Sequence, residues 1–262
     1  MSHDNLLAIE GLQLAIDDFF PVDGAGFSVD RGEFVALVGE SGSGKTLTAL
    51  SVIGLLPPAA RICGGSIRFD GRELIGMSEK EWRRFRGREI GMIFQEPITS
   101  LNPVMTIGSQ LREAVRTGLN GSRRAVENAA IEALRAVQMP EPRMRMRSYP
   151  HQLSGGLRQR AMIAMALACR PSLLIADEPT TALDVTVQAG IVSLLREIRR
   201  ERDLTFILIT HDIALAAEAS DRIVVMRTGK VVEEGPASRI VDNPSHEYTK
   251  TLIEFCRSRE IV

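Results

Sequence analysis

Gly39-Glu40-Ser41-Gly42-Ser43-Gly44-Lys45-Thr46 is the stretch that decides the fold. It fits G-x-x-x-x-G-K-[ST] and sits between a short apolar run, Glu33 to Val38, and a segment rich in Leu, Ala and Thr, Lys45 to Leu56. That order predicts buried strand, loop, helix, with the helix stopped at Pro57 and Pro58. In this setting glycines let the backbone curl so that successive N–H groups and the helix N-terminus face phosphate oxygens. Lys45 adds a point charge for the outer phosphates of a nucleotide, and Thr46 offers its hydroxyl to magnesium. A glycine-rich turn that binds nothing would account for the loop but not for its flanks.

Downstream, Leu173-Leu174-Ile175-Ala176 is an apolar strand that ends in Asp177-Glu178. Two carboxylates at the C-terminal edge of a strand lie where open α/β sheets bind ligands. Asp177 suits the water shell of a metal. Glu178 suits the orientation or deprotonation of an attacking water, which phosphoryl transfer needs more than covalent chemistry. His211 follows another apolar strand, Phe206 to Thr210, and reaches the same kind of edge to touch a terminal phosphate; His3, His151 and His246 have no comparable setting.

Further outward, Ser66 to Asp70 alternates apolar and polar residues before Gly71 and predicts a piece of antiparallel hairpin, with a helix near Glu79 to Arg86. Thr106 to Arg147 carries Val126, Ala129, Ala130, Ala133, Leu134 and Val137 at helical spacing and predicts a helical insertion. The strands Leu173 to Ala176, Thr205 to Thr210 and Arg222 to Met226 alternate with helices such as Val185 to Arg202, so the sheet is mostly parallel and covered. The fold class is α/β.

At 262 residues the chain suits one domain with an inserted subdomain. Lys plus Arg (32) nearly equal Asp plus Glu (33), which argues against a nucleic-acid partner. The longest apolar runs fall short of the ~20 residues of a spanning helix. Met1 to Glu10 lacks the features of a signal peptide, so a cytoplasmic location is expected. Cys63, Cys169 and Cys256 have no C-x-x-C spacing, and reduced thiols are expected.

Leu153-Ser154-Gly155-Gly156-Leu157-Arg158-Gln159-Arg160, just before a predicted helix, resembles the ABC signature motif. With the phosphate loop, Asp177-Glu178 and His211 in this order, essentially the whole chain resembles an ABC ATPase. The resemblance implies a P-loop NTPase (RecA-like) parallel core with an antiparallel β subdomain and an inserted helical subdomain. Core and β subdomain would cover about 1–96 and 160–262, and the helical signature subdomain about 97–159. It implies ATP and Mg2+ as cofactors, with Gly39, Glu40, Ser41, Gly42, Ser43, Gly44, Lys45, Thr46 and Asp177 on the nucleotide. Glu178, His211 and Gln95 would be catalytic, and Thr46, Gln95 and Asp177 would serve the magnesium. Leu153, Ser154, Gly155, Gly156 and Leu157 would complete a partner's ATP site, and Thr181-Ala182-Leu183-Asp184 resembles the D-loop.

Glu96-Pro97-Ile98-Thr99-Ser100-Leu101-Asn102-Pro103, Asp184-Val185-Thr186-Val187-Gln188 and His246-Glu247-Tyr248-Thr249 resemble the dipeptide, oligopeptide and nickel importer ATPases. The partners this implies are a second ABC ATPase, identical or not, two transmembrane permeases and, indirectly, a solute-binding protein. The chain would sit peripherally on the cytoplasmic face of the membrane. Peptide is the expected solute and nickel the alternative; a soluble ABC ATPase of another class and a non-hydrolysing regulatory subunit are the competing readings. Two departures stand out. The register that usually stacks on adenine holds Ile16 and Asp17, with Phe19 or Phe20 as substitutes. The cysteine-rich extension of many peptide-branch relatives is missing after Cys256, so no iron–sulfur cluster is expected.

Overall fold

The computed structural model describes residues 5–95, 100–119, 121–181 and 183–259. Its strands are β1 (Asn5–Ile16), β2 (Phe19–Asp30), β3 (Phe34–Val38), β4 (Ala60–Phe69), β5 (Arg72–Glu73), β6 (Ile90–Ile93), β7 (Leu173–Asp177), β8 (Thr205–Thr210), β9 (Arg222–Arg227) and β10 (Lys230–Pro236). Its helices are α1 (Lys45–Val52), α2 (Glu79–Phe85), α3 (Ile107–Gly118), α4 (Arg123–Ala136), α5 (Pro142–Arg145), α6 (Gly155–Leu167), α7 (Val185–Arg202), α8 (Ile213–Ala219), α9 (Ala237–Asp242) and α10 (Glu247–Arg259). By internal contacts the chain divides into a first unit, Met1–Trp82 with Thr205–Val262, and a second, Arg83–Leu204.

In the first unit β3 pairs in parallel with both β8 and β9, and β9 pairs antiparallel with β10. Every residue of β3 and β8 is buried, as a near-continuous apolar run in a covered parallel sheet requires. Phe34 and Phe206 stack at 4.9 Å across that pair. Arg222, at the start of β9, holds both carboxylate oxygens of Glu33 (2.7 and 3.1 Å) and the Ser28 carbonyl, which pins the entrance of β3. The bidentate Glu33 contact pushes the guanidinium pKa further up against the opposing effect of burial.

Beside it in the same unit lies an antiparallel sheet in the order β2-β1-β4-β5. The hairpin expected near Ser66 to Asp70 is its β4–β5 edge, but the longer β1 and β2 were not foreseen. Their pairing shifts register between Asn5 and Leu7, between Ile9 and Leu12, between Leu12 and Gln13 and between Leu14 and Ile16. Each shift breaks the period of two on which strand reading depends.

α1 ends earlier than Leu56, and proline is not what ends it. Gly54, at φ +62°, takes the left-handed conformation; its N–H donates to the Ser51 carbonyl (3.2 Å) and the Leu55 N–H to the Leu50 carbonyl (2.9 Å). This is a Schellman stop. The Trp82 ring fills the space a side chain would need there.

In the second unit β6 and β7 pair in parallel, Ile90 opposite Leu173 and Ile93 opposite Ala176. The helical segment expected from Thr106 to Arg147 forms α3, α4 and α5. Thr106 and Ser122 cap α3 and α4 by accepting from Ser109 N–H (3.2 Å) and Ala125 N–H (3.3 Å). Leu111, Val115, Val126, Ala130 and Leu134 are buried along these two helices, and Arg112 pairs with Glu127 at 2.5 Å between them. No helix among the described residues is long and apolar enough to cross a membrane.

Candidate functional site

The sequence-expected residues divide between the two units. Gly39–Thr46 and His211 belong to the first; Gln95, Leu153–Leu157, Asp177, Glu178 and Asp184 belong to the second.

In the first unit β3 delivers the chain to Gly39, and α1 begins at Lys45. Lys45 is only 5% exposed, and its ammonium donates to the carbonyls of Gly39 (2.7 Å) and Glu40 (2.8 Å) and to Ser43 Oγ (3.3 Å). A buried cation is tolerated only with such partners. These are neutral oxygens, which a triphosphate can replace with charged ones. Gly39, Ser43 and Gly44 are buried, while Glu40, Ser41, Gly42 and Thr46 are open to solvent. The loop is backed from behind: Gly229 N–H donates to the Ser43 carbonyl (3.1 Å), and a Cβ on Gly39 would lie 2.2 Å from the Met226 carbonyl. His211 is exposed between the end of β8 and Asp212, whose carboxylate caps α8 by accepting from Ala214 N–H (2.9 Å) and Leu215 N–H (3.0 Å). Phe19 and Phe20, at the start of β2, are 67% and 47% exposed.

In the second unit Asp177 ends β7 and is buried, and Glu178 follows at φ +44°, a conformation that costs a glutamate energy and that clusters at functional sites. Glu178 Oε2 accepts from Gln95 Nε2 (3.2 Å) and from Thr181 Oγ1 (2.8 Å). Two donors thereby fix one oxygen of the carboxylate. Gln95 and Glu178, 83 positions apart, are brought together by this bond. Thr181 was read only as part of a motif; its hydroxyl three residues after the acid was the available signal.

Ser154 caps α6, its Oγ accepting from Leu157 N–H at 3.4 Å. Leu153 is buried, Ser154 and Gly155 are exposed, and Gly156 and Leu157 are half-buried. Asp184 is exposed and caps α7 through Val187 N–H (2.9 Å). Glu96–Thr99 and Ala182, parts of two of the motifs, lie outside the described residues. Cys63, Cys169 and Cys256 are free thiols. Thr46 in the first unit carries a hydroxyl, and Gln95 and Asp177 in the second carry an amide oxygen and a carboxylate; these are hard oxygen donors of the kind that Mg2+ prefers.

Residues 22–181 match the family model described as ABC transporter. The chain is 47% identical to the dipeptide transport ATP-binding protein DppD of Escherichia coli over 97% of this chain and 80% of the relative. It is 47% identical to the oligopeptide transport ATP-binding protein OppD of the same organism, over 95% and 75%. Among solved structures, a dimeric post-hydrolysis state of the ATP-binding cassette MJ0796 bound to ADP and Pi superposes with a TM-score of 0.77 at 29% identity, covering 88% of this chain and 98% of that one.

Proposed function

Because this chain belongs to the ABC transporter family, we propose that it binds and hydrolyses ATP as the motor subunit of a peptide importer. The relatives named for dipeptide and oligopeptide transport favour peptide over nickel as the solute.

The observation that carries the catalytic reading is the Glu178 carboxylate held by Gln95 and Thr181. Held there, Glu178 orients the attacking water and takes its proton as the bond to the terminal phosphorus forms and the bond to ADP breaks. Gly39 to Thr46 cradle the phosphates; Lys45 keeps the Gly39 carbonyl that places it and turns its other N–H donors to phosphate oxygens, and His211 touches the terminal phosphate. Thr46, Gln95 and Asp177 are the donors we assign to Mg2+, which neutralises charge on the phosphates when bound. Phe19 and Phe20 are the exposed aromatic residues offered to adenine stacking.

The partner is a second ATPase subunit arranged head to tail. Ser154 and Gly155, with Leu153, Gly156 and Leu157 behind them, face the partner's ATP, and Asp184 lies in the D-loop beside it. The helical segment 97–159 is the signature subdomain. Two membrane permeases dock on the pair at the cytoplasmic face, and a solute-binding protein delivers the peptide to them. Closure on ATP and opening after hydrolysis then drive the permeases between two states.

Pull-down of the tagged chain from its native membrane, with ATPase activity assayed on the complex, tests this. Recovery of two membrane subunits and a second ATPase, with peptide-stimulated hydrolysis, is the expected result. Recovery of ribosomes or DNA without a membrane partner overturns it.

A further inference from the structure

We propose that Tyr248 is a positioning residue for the phosphate loop: its hydroxyl fixes the peptide between Gly39 and Glu40 and, through that peptide, the ammonium of Lys45. One peptide unit carries both contacts. Its N–H, on Glu40, donates to the Tyr248 hydroxyl at 2.9 Å; its C=O, on Gly39, accepts from Lys45 Nζ at 2.7 Å. A trans peptide is planar, with N–H and C=O on opposite sides, so an anchor at one end orients the other. Rotation of this peptide would break both bonds together.

Tyr248 is itself held on several sides. It is 5% exposed, and the Arg227 guanidinium lies over its ring, 4.8 Å from the centroid. Arg227 ends β9 and leads into the turn whose Gly229 supports Ser43. The start of α10 is tied down by Glu233, whose carboxylate accepts from Ser245 N–H (2.8 Å) and His246 N–H (3.0 Å), while His246 Nδ1 accepts from Tyr248 N–H (3.1 Å). Burial pushes the Tyr248 phenol pKa up, so the hydroxyl keeps its proton at neutral pH. His246-Glu247-Tyr248-Thr249 thereby acquires a task at a loop 208 positions away.

The inference rests on the reading of Gly39 to Thr46 as the ATP phosphate site. Its test is the Kd for ATP of the purified full chain as wild type, Tyr248→Phe, Ile253→Val and Lys45→Ala, with thermal unfolding of each. Tyr248→Phe keeps the ring under Arg227 and removes only the acceptor. Its Kd should rise about threefold to tenfold, the loss expected for one such hydrogen bond. Ile253→Val loosens the buried face of the same helix without removing a polar contact, and its Kd should stay at the wild-type value. An unchanged Kd in Tyr248→Phe overturns the proposal, and so does an equal rise in Ile253→Val, which would reduce Tyr248 to packing. If Lys45→Ala binds ATP as well as wild type, the loop reading itself fails and the proposal falls with it.

Discussion

The phosphate loop and the signature segment are both glycine-rich turns that open a helix, and they are built in opposite ways. The loop is buried at Gly39, Ser43 and Lys45, folds its own ammonium onto its own carbonyls, and is backed by Met226, Gly229 and Tyr248. The signature segment exposes Ser154 and Gly155, anchored by the buried Leu153 behind them and by the Ser154 cap. On the function proposed above, the first is a receptor for phosphate already formed within its own unit. The second is a surface prepared for something brought to it, which is what a segment serving a partner's nucleotide requires. Binding should therefore belong to one region and assembly-dependent turnover to the other.

Glu178→Gln gives the largest expected effect and tests that division. Replacing a positioned acid–base group should cost about 10²–10⁴-fold in turnover of the assembled transporter. ATP binding by the isolated chain should stay at the wild-type Kd, because the loop is complete without Glu178. Binding lost together with turnover would break the comparison.

Glycine replacement compares the two turns directly. In Gly39→Ala the new Cβ would lie 2.2 Å from the Met226 carbonyl, a backbone atom that cannot swing aside. Destabilisation of about 3 kcal/mol is expected. In Gly155→Ala the nearest atom is Leu183 Cδ2 at 3.3 Å, the end of a side chain, so the change should stay within about 0.5 kcal/mol. Urea unfolding midpoints of the two variants should differ accordingly; equal midpoints would mean the loop is less tightly backed than its contacts imply.

Next in size is the pair Lys45→Ala and Ser154→Ala. Loss of charge-assisted contacts to phosphate should weaken ATP binding to the isolated chain by about 10- to 100-fold in the first variant. The second should bind ATP normally alone and lose turnover only in the assembled pair. A binding defect in isolated Ser154→Ala would show that the signature segment serves its own chain.

How far the sequence disclosed this depends on the range of the contacts. α7 was legible from Val185 to Arg202 because its signals are local: Asp184 caps it, and Asp203, in the left-handed conformation, follows it. β3, β7 and β8 were legible as short apolar runs, and Gly39 to Thr46 as a local pattern. β1 and β2 escaped because their register shifts scramble the alternation. The end of α1 was misread because Pro57 and Pro58 are conspicuous and a Schellman stop at Gly54 is not. The Thr181 contact to Glu178 left only its spacing of three as a signal, and the Tyr248 contact to Glu40 could not be read at all, since the partner of a hydroxyl 208 positions away is fixed by folding rather than spacing.

The smallest expected effect compares the support of each region by one carboxylate. Burial pushes Glu233 up, but the Ser245 and His246 N–H groups and Arg239 outweigh it and hold the carboxyl below the usual 4.5. The Arg112 hydrogen bond, against a smaller effect of burial, does the same for Glu127. A carboxyl whose folded pKa is lowered contributes stability that is present above 4.5 and lost as pH falls through the folded value. Glu233, with a side chain only 5% exposed, should cost about 1–2 kcal/mol when replaced by Gln at pH 7. Glu127, 39% exposed, should cost at most about 0.5 kcal/mol after screening. Both differences from wild type should shrink as unfolding is measured at pH values falling below 4.5. A Glu127→Gln variant as damaged as Glu233→Gln would mean that the helical unit depends on its surface pair as much as the phosphate loop depends on its buried support.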